Sequence, residues 1–153
     1  MKPVAALARE GGNEADPAYV LEDQVGHLLR RAHQRHAAIF QEMIGDPQLT
    51  PLQFAALVKL DDLGEVSQNE LGRRTAMDAA TMQGVIKRLL ARGLIGRKPD
   101  PEDRRRVVLR LTDRGGALIA AAMPNGHAIT DETLGDLSEA ERRSFLSLLK
   151  RLA

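Results

Sequence analysis

Apolar side chains recur at Met82, Val85, Ile86 and Leu89, the i, i+3, i+4, i+7 spacing of a helix that buries one stripe. Asp78 is placed to cap that helix and Gly93 to end it. Just upstream, Ser67 with Glu70 three residues later reads as a capping box, in which the carboxylate also reaches back to the cap's own amide. The pair predicts a short helix from Gln68 to Thr75. Downstream the period changes from helical to two. Val107, Leu109 and Leu111 are predicted on one face of a strand, Val108 and Arg110 on the other. Pro99 and Pro101, alternating with Asp100 and Glu102, end whatever precedes them, so Ile95 to Lys98 and Val107 to Leu111 are predicted to pair as a hairpin. Arg104, Arg105 and Arg106 then lie at or near its tip.

Outside this region the pattern is helical again. Asp16-Pro17 and Thr50-Pro51 with Gln53 are start signals. Leu21, Val25, Leu28, Leu29, Ala32, Ile39, Phe40 and Met43 share one face of the first helix, with His36 projecting from its middle. Thr112 is positioned to cap a long fifth helix that Pro124, followed by Asn125-Gly126, is predicted to kink or break. Ser138 with Glu141 caps a last helix whose Phe145, Leu148, Leu149 and Leu152 form an apolar stripe. Terminal stripes of this kind need a partner. The fold class is therefore mainly α with a small β-hairpin wing, a winged helix-turn-helix carrying extra helices at both ends.

The face of the 78–93 helix opposite its buried stripe carries Ala80, Gly84, Lys87 and Ala91, flanked by Thr81, Gln83 and Arg88. Small and basic residues let a helix approach a groove closely. Thr81 and Gln83, near its start, suit hydrogen bonds to base edges in the major groove, while Lys87 and Arg88 suit phosphates. The wing arginines suit an adjacent minor groove. Alone, three arginines in a row are as well explained as a solvated loop, and small residues on a helix front also suit a protein helix as partner. Their succession favours double-stranded DNA.

Charge sharpens this. Ser67 to Arg114 holds 12 Lys or Arg against 6 Asp or Glu, a balance of +6 in a chain whose total is only +1, which leaves −5 elsewhere. A polarised chain of this sort presents a directed electrostatic footprint.

In order and content these motifs resemble the MarR-type winged-helix regulators. The resemblance runs through Leu49-Thr-Pro-Leu-Gln-Phe54, Ser67 to Leu71, Arg88-Leu-Leu-Ala-Arg-Gly-Leu-Ile95, Asp103-Arg-Arg105 and Leu111-Thr-Asp-Arg-Gly115. It implies a homodimeric regulator, a repressor by family default, reading a pseudo-palindromic operator. The implied layout is a flexible tail over 1–16, dimerisation helices over 17–48 and 113–153, and a DNA-binding lobe over 49–112. Asp103 and Arg105 match the family's wing pair, which implies Arg105 as the minor-groove arginine and Asp103 as its orienting partner. The implied DNA-binding set is Thr81, Gln83, Gly84, Lys87, Arg88, Asp103, Arg104 and Arg105.

Composition excludes several other classes. A chain of 153 residues, 43% hydrophobic, is long enough to bury one core, and it has no apolar run near the roughly 18 residues of a membrane span. Met1 to Glu10 has too short an apolar stretch for a secretory signal, which makes the cytoplasm the default location. Cysteine is absent, so disulfides and thiolate metal sites are impossible. No Gly-rich phosphate loop, Gly-x-Ser-x-Gly elbow or cysteine nucleophile is present, and two of four serines already read as caps. These absences speak against an enzyme and call for no cofactor.

Regulation is read on the first helix. From His27 to His36 stand Arg30, Arg31, His33 and Arg35 with no acid. This is either a solvated face or the hold for an anionic effector, and His36 is either a core histidine satisfied by one hydrogen bond or a ligand-facing group. The resemblance places an effector between the dimer helices and the DNA-binding lobe. The candidate set is Arg30, Arg31, His33, His36, Phe40 and Phe54. Similarity of the first helix, Ser67 to Gly72 and Ala76 to Met82 to family members governing aromatic-acid catabolism implies an aromatic carboxylate or its coenzyme A thioester. A metal-responsive regulator is the alternative, although His33 and His36 stand roughly 60° apart on the helix wheel without an acid nearby. A protein-interaction module without DNA affinity is a third.

Overall fold

A computed structural model describes residues 18–153. A 3₁₀ turn at Leu21–Asp23 leads into α1 (Val25–Met43), followed by α2 (Pro51–Leu63), β1 (Val66–Ser67), α3 (Gln68–Arg74), α4 (Ala79–Ala91), β2 (Ile95–Pro99), β3 (Val107–Leu111), α5 (Asp113–Thr133) and α6 (Glu139–Leu152). The fold is a winged helix with helices added at both ends. Asp16, Pro17 and the 1–16 tail lie outside the described residues. Residues 18–20 are not helical, and α1 begins only at Val25, capped by the backbone of Gln24.

The hairpin forms as the alternation predicts, with Ile95 opposite Leu111 and Pro99 opposite Val107. A third strand joins it: Val66 and Ser67 pair antiparallel with Leu109 and Val108, which gives the order β1-β3-β2. That addition overturns the predicted division of faces. Val108 and Leu109 are both buried, whereas Val107, next to the arginine loop, is 53% exposed. Val107 stands at the tip of the hairpin, opposite Pro99 and beside the loop, away from the helices that cover the middle of the sheet.

Met82, Val85, Ile86 and Leu89 of α4 enter one core with Leu57 and Leu60 of α2, Leu71 of α3, Leu109 of β3 and Ile119 of α5. Leu94 sits where three elements meet. Its carbonyl accepts the Thr112 amide at 3.1 Å, and Gly115 lies so close beneath it that a β-carbon there would stand 1.9 Å from that oxygen. Thr112 also donates its hydroxyl to the Gly93 carbonyl at 2.7 Å, tying the start of α5 to the end of α4.

Caps form at Thr50, Ser67, Asp78, Thr112 and Ser138, with reciprocal boxes at Thr50/Gln53 and Ser138/Glu141. The box predicted at Ser67 is only half made. Ser67 accepts the Glu70 amide at 3.3 Å, but the Glu70 carboxylate turns to Arg74 and Arg73, whose charge-assisted bonds outcompete a neutral amide. Those bonds hold the Glu70 carboxyl below its ordinary range. Nor does Pro124 break α5, which runs unbroken from Asp113 to Thr133. Pro124 and Ala120, whose carbonyl loses its amide partner, are both on the exposed side. Asn125 meanwhile donates to the Ile44 carbonyl at 3.2 Å, which fastens the helix to the end of α1.

Candidate nucleic-acid interface and effector groove

The turn between α3 and α4 is closed by the Met77 amide on the Gly72 carbonyl (2.9 Å), with Ala76 in the left-handed region at φ 52°. It aims α4 outward from its first residue. Asp78 accepts the Thr81 amide at 2.7 Å, and that bond, joined by the Thr81 side chain, holds the Asp78 carboxyl below its ordinary range. Gln83, Lys87 and Arg88 project into solvent, while Thr81 and Gly84 are half-buried. A β-carbon at Gly84 would meet only the Arg88 guanidinium, at 3.7 Å, so that side chain lies back over the glycine. The front of the helix is thus low, with cations along its edge.

The wing loop is shaped by its acids. Asp100 donates its amide to the Arg106 carbonyl (2.9 Å) and accepts the Glu102 amide (2.9 Å), while the Arg106 amide returns to the Asp103 carbonyl at 2.8 Å. The Asp103 carboxylate accepts the Arg105 amide at 3.0 Å and lies 3.8 Å from its Nε. The Arg105 side chain beyond is 95% exposed. One carboxylate therefore fixes the root of an arginine and leaves its guanidinium head in solvent. Gln68, Asn69 and Arg73 of α3 were not singled out from sequence, yet they line a cleft of 430 Å³ with Arg106 and Val107 of the wing. Their position is set by β1, which the sequence pattern does not show.

The effector candidates separate into groups. His36, Phe40 and Phe54 form a row, with ring centroids 6.4 Å and then 5.8 Å apart. Phe40 is buried in the core, and the Phe54 ring packs against Gly126, where a β-carbon would stand 2.8 Å from it. His33 and His36 line a largely apolar groove of 370 Å³ with Leu29 of α1, Thr133 of α5 and Phe145 and Leu149 of α6. Arg31 borders an adjoining groove of 430 Å³ beside Arg35, which pairs with Asp136 at 2.6 Å. Arg30 stands apart from both, 3.4 Å from His27.

The MarR family model matches residues 49–107, the span from α2 to the wing. The transcriptional repressor NicR of Pseudomonas putida is 48% identical over 134 residues, covering 88% of this chain and 85% of that protein. The chain belongs to the MarR family. Like other MarR-family members it is a DNA-binding, winged-helix transcriptional regulator. Two solved MarR-type structures are close to it. BpsR of Bordetella bronchiseptica, whose DNA binding is regulated by 6-hydroxynicotinic acid, superposes with a TM-score of 0.83 at 47% identity, covering 88% of this chain and 96% of that one. PcaV of Streptomyces coelicolor in complex with its natural ligand gives 0.82 at 31% identity, covering 90% and 96%. The family match reaches Asp103, Arg104 and Arg105, so α4, β2 and the wing loop fall within it.

Proposed function

We propose that this protein is a homodimeric repressor that leaves its operator when a small aromatic acid binds beside α1. It acts in the cytoplasm, by binding rather than by catalysis. In this reading Thr81, Gln83 and Gly84 meet base edges, Lys87 and Arg88 meet phosphates, and Arg104 and Arg105 enter the minor groove with Asp103 orienting Arg105. The observation that carries the DNA side is the pairing of a low, exposed α4 front with an arginine rooted by a carboxylate at the wing. The effector side is carried by 47% identity to BpsR together with a histidine-lined apolar groove on α1. A free acid suits a groove of this size better than a coenzyme A thioester.

Release follows if the acid binds the arrangement of lobes that does not fit DNA more tightly than the one that does. The test is fluorescence anisotropy of a duplex from upstream of the gene, titrated with 6-hydroxynicotinic acid, cinnamic-type acids and their thioesters. Nanomolar binding to that duplex, relieved by a free acid, supports the proposal. Binding no tighter than to an unrelated duplex, or release by no acid, rejects it.

A further inference from the structure

A helix in the major groove and a wing in the adjacent minor groove straddle one sugar-phosphate strand, so that strand crosses the surface between them. On this chain α3 occupies that surface. Gln68, Asn69 and Arg73 line two hollows at once: one of 470 Å³ shared with Ala79 and Met82 of α4, and the 430 Å³ cleft shared with Arg106 and Val107 of the wing. A trough therefore runs from the foot of α4, over α3, to the wing. The first hollow includes one carboxylate, Asp78, which already accepts the Thr81 amide. The second includes none, and its polar side chains are the Ser67 hydroxyl, two amides and two guanidinium groups. Ser67 accepts the Glu70 amide, which leaves its own hydrogen to donate.

We infer that the cleft between α3 and the wing seats one backbone phosphate of the operator strand, held by Arg73 from one side and Arg106 from the other. This rests on the placement of α4 and the wing on DNA proposed above. Arg73 gives Nε, at 3.0 Å, and Nη2 to the Glu70 carboxylate, and its Nη1 has no partner among the described residues. Glu70 also takes Arg74, so one acid stands against two arginines and the α3 side keeps a net positive charge. Arg106 has an exposed side chain that meets no acid among the described residues, while its amide donates to the Asp103 carbonyl and its carbonyl accepts the Asp100 amide. Its backbone is thus fixed and its charge is unspent. A phosphate bridging cations from two separate elements ties the wing to α3. It sets the position of the protein along the strand and carries no base preference of its own.

The test is ethylation interference with the full chain on the duplex from upstream of the gene, followed by anisotropy across salt concentrations. In the wild type, ethylating one phosphate per half-site, on the strand between the two grooves, is expected to weaken binding; in Arg73→Ala and in Arg106→Ala, ethylating that same phosphate costs less. Each variant should bind about a hundredfold more weakly, roughly tenfold from each subunit of a dimer, with the operator and an unrelated duplex losing the same factor. The double variant should flatten the log–log salt dependence by about two, one phosphate per subunit. Both side chains are exposed, so helix content by circular dichroism should stay that of the wild type. A salt slope lower by about four puts the arginines on separate phosphates, wild-type affinity in either variant leaves the cleft without a phosphate, and a loss confined to the operator makes the arginines base readers. Each of these overturns the inference while operator binding by α4 and the wing stands. If the wild type binds the upstream duplex no tighter than an unrelated one, that placement falls and this inference with it.

Discussion

Arg92 Nη2 reaches Asp46 Oδ2 at 2.5 Å, joining the C-cap of α4 to the turn that follows α1. The two side chains are mostly buried, and Arg92 Nη1 meets no acceptor among the described residues. The turn is held from the other side by Asn125 on the Ile44 carbonyl. Helices α4, α1 and α5 therefore converge on residues 44–46.

Asp46→Asn should destabilise the protein by about 2 kcal/mol, because it leaves the Arg92 charge partly buried without its counter-ion. Urea unfolding at fixed protomer concentration measures it. Burial pushes the Asp46 carboxyl up, but the hydrogen bonds from Arg92 and the Gln48 amide, with the charges of Arg92 and Arg114, outweigh burial and hold it below its ordinary value. A carboxyl lowered in the folded state contributes stability above its unfolded value, near 4, and loses it as pH falls through the lower folded one. The wild-type advantage over Asp46→Asn should be full at pH 7 and shrink below about pH 4. An advantage that persists unchanged at pH 2 would contradict this account.

Adjacent glycines at the start of α5 should respond oppositely to alanine. At Gly115 the new methyl would stand 1.9 Å from the Leu94 carbonyl oxygen, a backbone atom already bonded to Thr112. Overpacking there should cost roughly 3 kcal/mol. At Gly116 nothing lies within 4 Å, so Gly116→Ala should gain up to about 1 kcal/mol from helix propensity. Thermal unfolding of the pair decides it, and a tolerated Gly115→Ala would refute the packing.

What the sequence revealed and what it hid divide along chain separation. The α4 stripe, the caps at Asp78 and Ser138 and the β2–β3 hairpin rest on residues a few positions apart, and these were legible. Two-residue β1 was not, since Val66 and Ser67 become a strand only by lying on Leu109 and Val108. Glu70 fits a capping box by spacing, but two neighbouring arginines offer it more. Pro124 reads as a breaker, yet it lies on a face where the freed carbonyl meets solvent. At the groove between α1, α5 and α6 the histidines were visible on the helix wheel, whereas the hydrogen-bond partner of His36, Thr133, is far off in sequence. The arginines proved the least legible: spacing alone did not show that Arg35 finds Asp136, that Arg30 stands apart, and that Arg31 borders a groove.

In the wing, orientation and charge are separable by salt. Arg105→Ala should weaken operator binding and flatten the log–log salt dependence by about one unit per wing, or about two for a dimer. Asp103→Ala removes a carboxylate that repels DNA, so a purely electrostatic role predicts tighter binding. If Asp103 acts by rooting Arg105 through the 3.0 Å bond to its amide, affinity should fall with the salt slope unchanged. Anisotropy titrations across salt concentrations distinguish the two, and tighter binding by Asp103→Ala rules out the orienting role.

The terminal helices carry uncovered apolar side chains. Val25, Leu28 and Leu29 of α1 and Phe145, Leu148 and Leu152 of α6 are all exposed, and Leu28, Leu29 and Phe145 border the same two grooves. A contiguous face of this kind is unstable in water unless it is covered. Covering it with a second copy places two Leu148 side chains in the interface, one from each subunit. Each leucine buried there contributes about 2 kcal/mol, so Leu148→Glu should raise the dimer dissociation constant roughly a thousandfold. Because Leu148 lies outside the core of the subunit, helix content by circular dichroism should stay unchanged while sedimentation shifts to the monomer. Operator affinity should collapse with it, since one subunit engages only half of a palindromic site. A wild-type chain that sediments as a monomer at micromolar concentration, or a Leu148→Glu variant that remains dimeric, would locate the interface elsewhere.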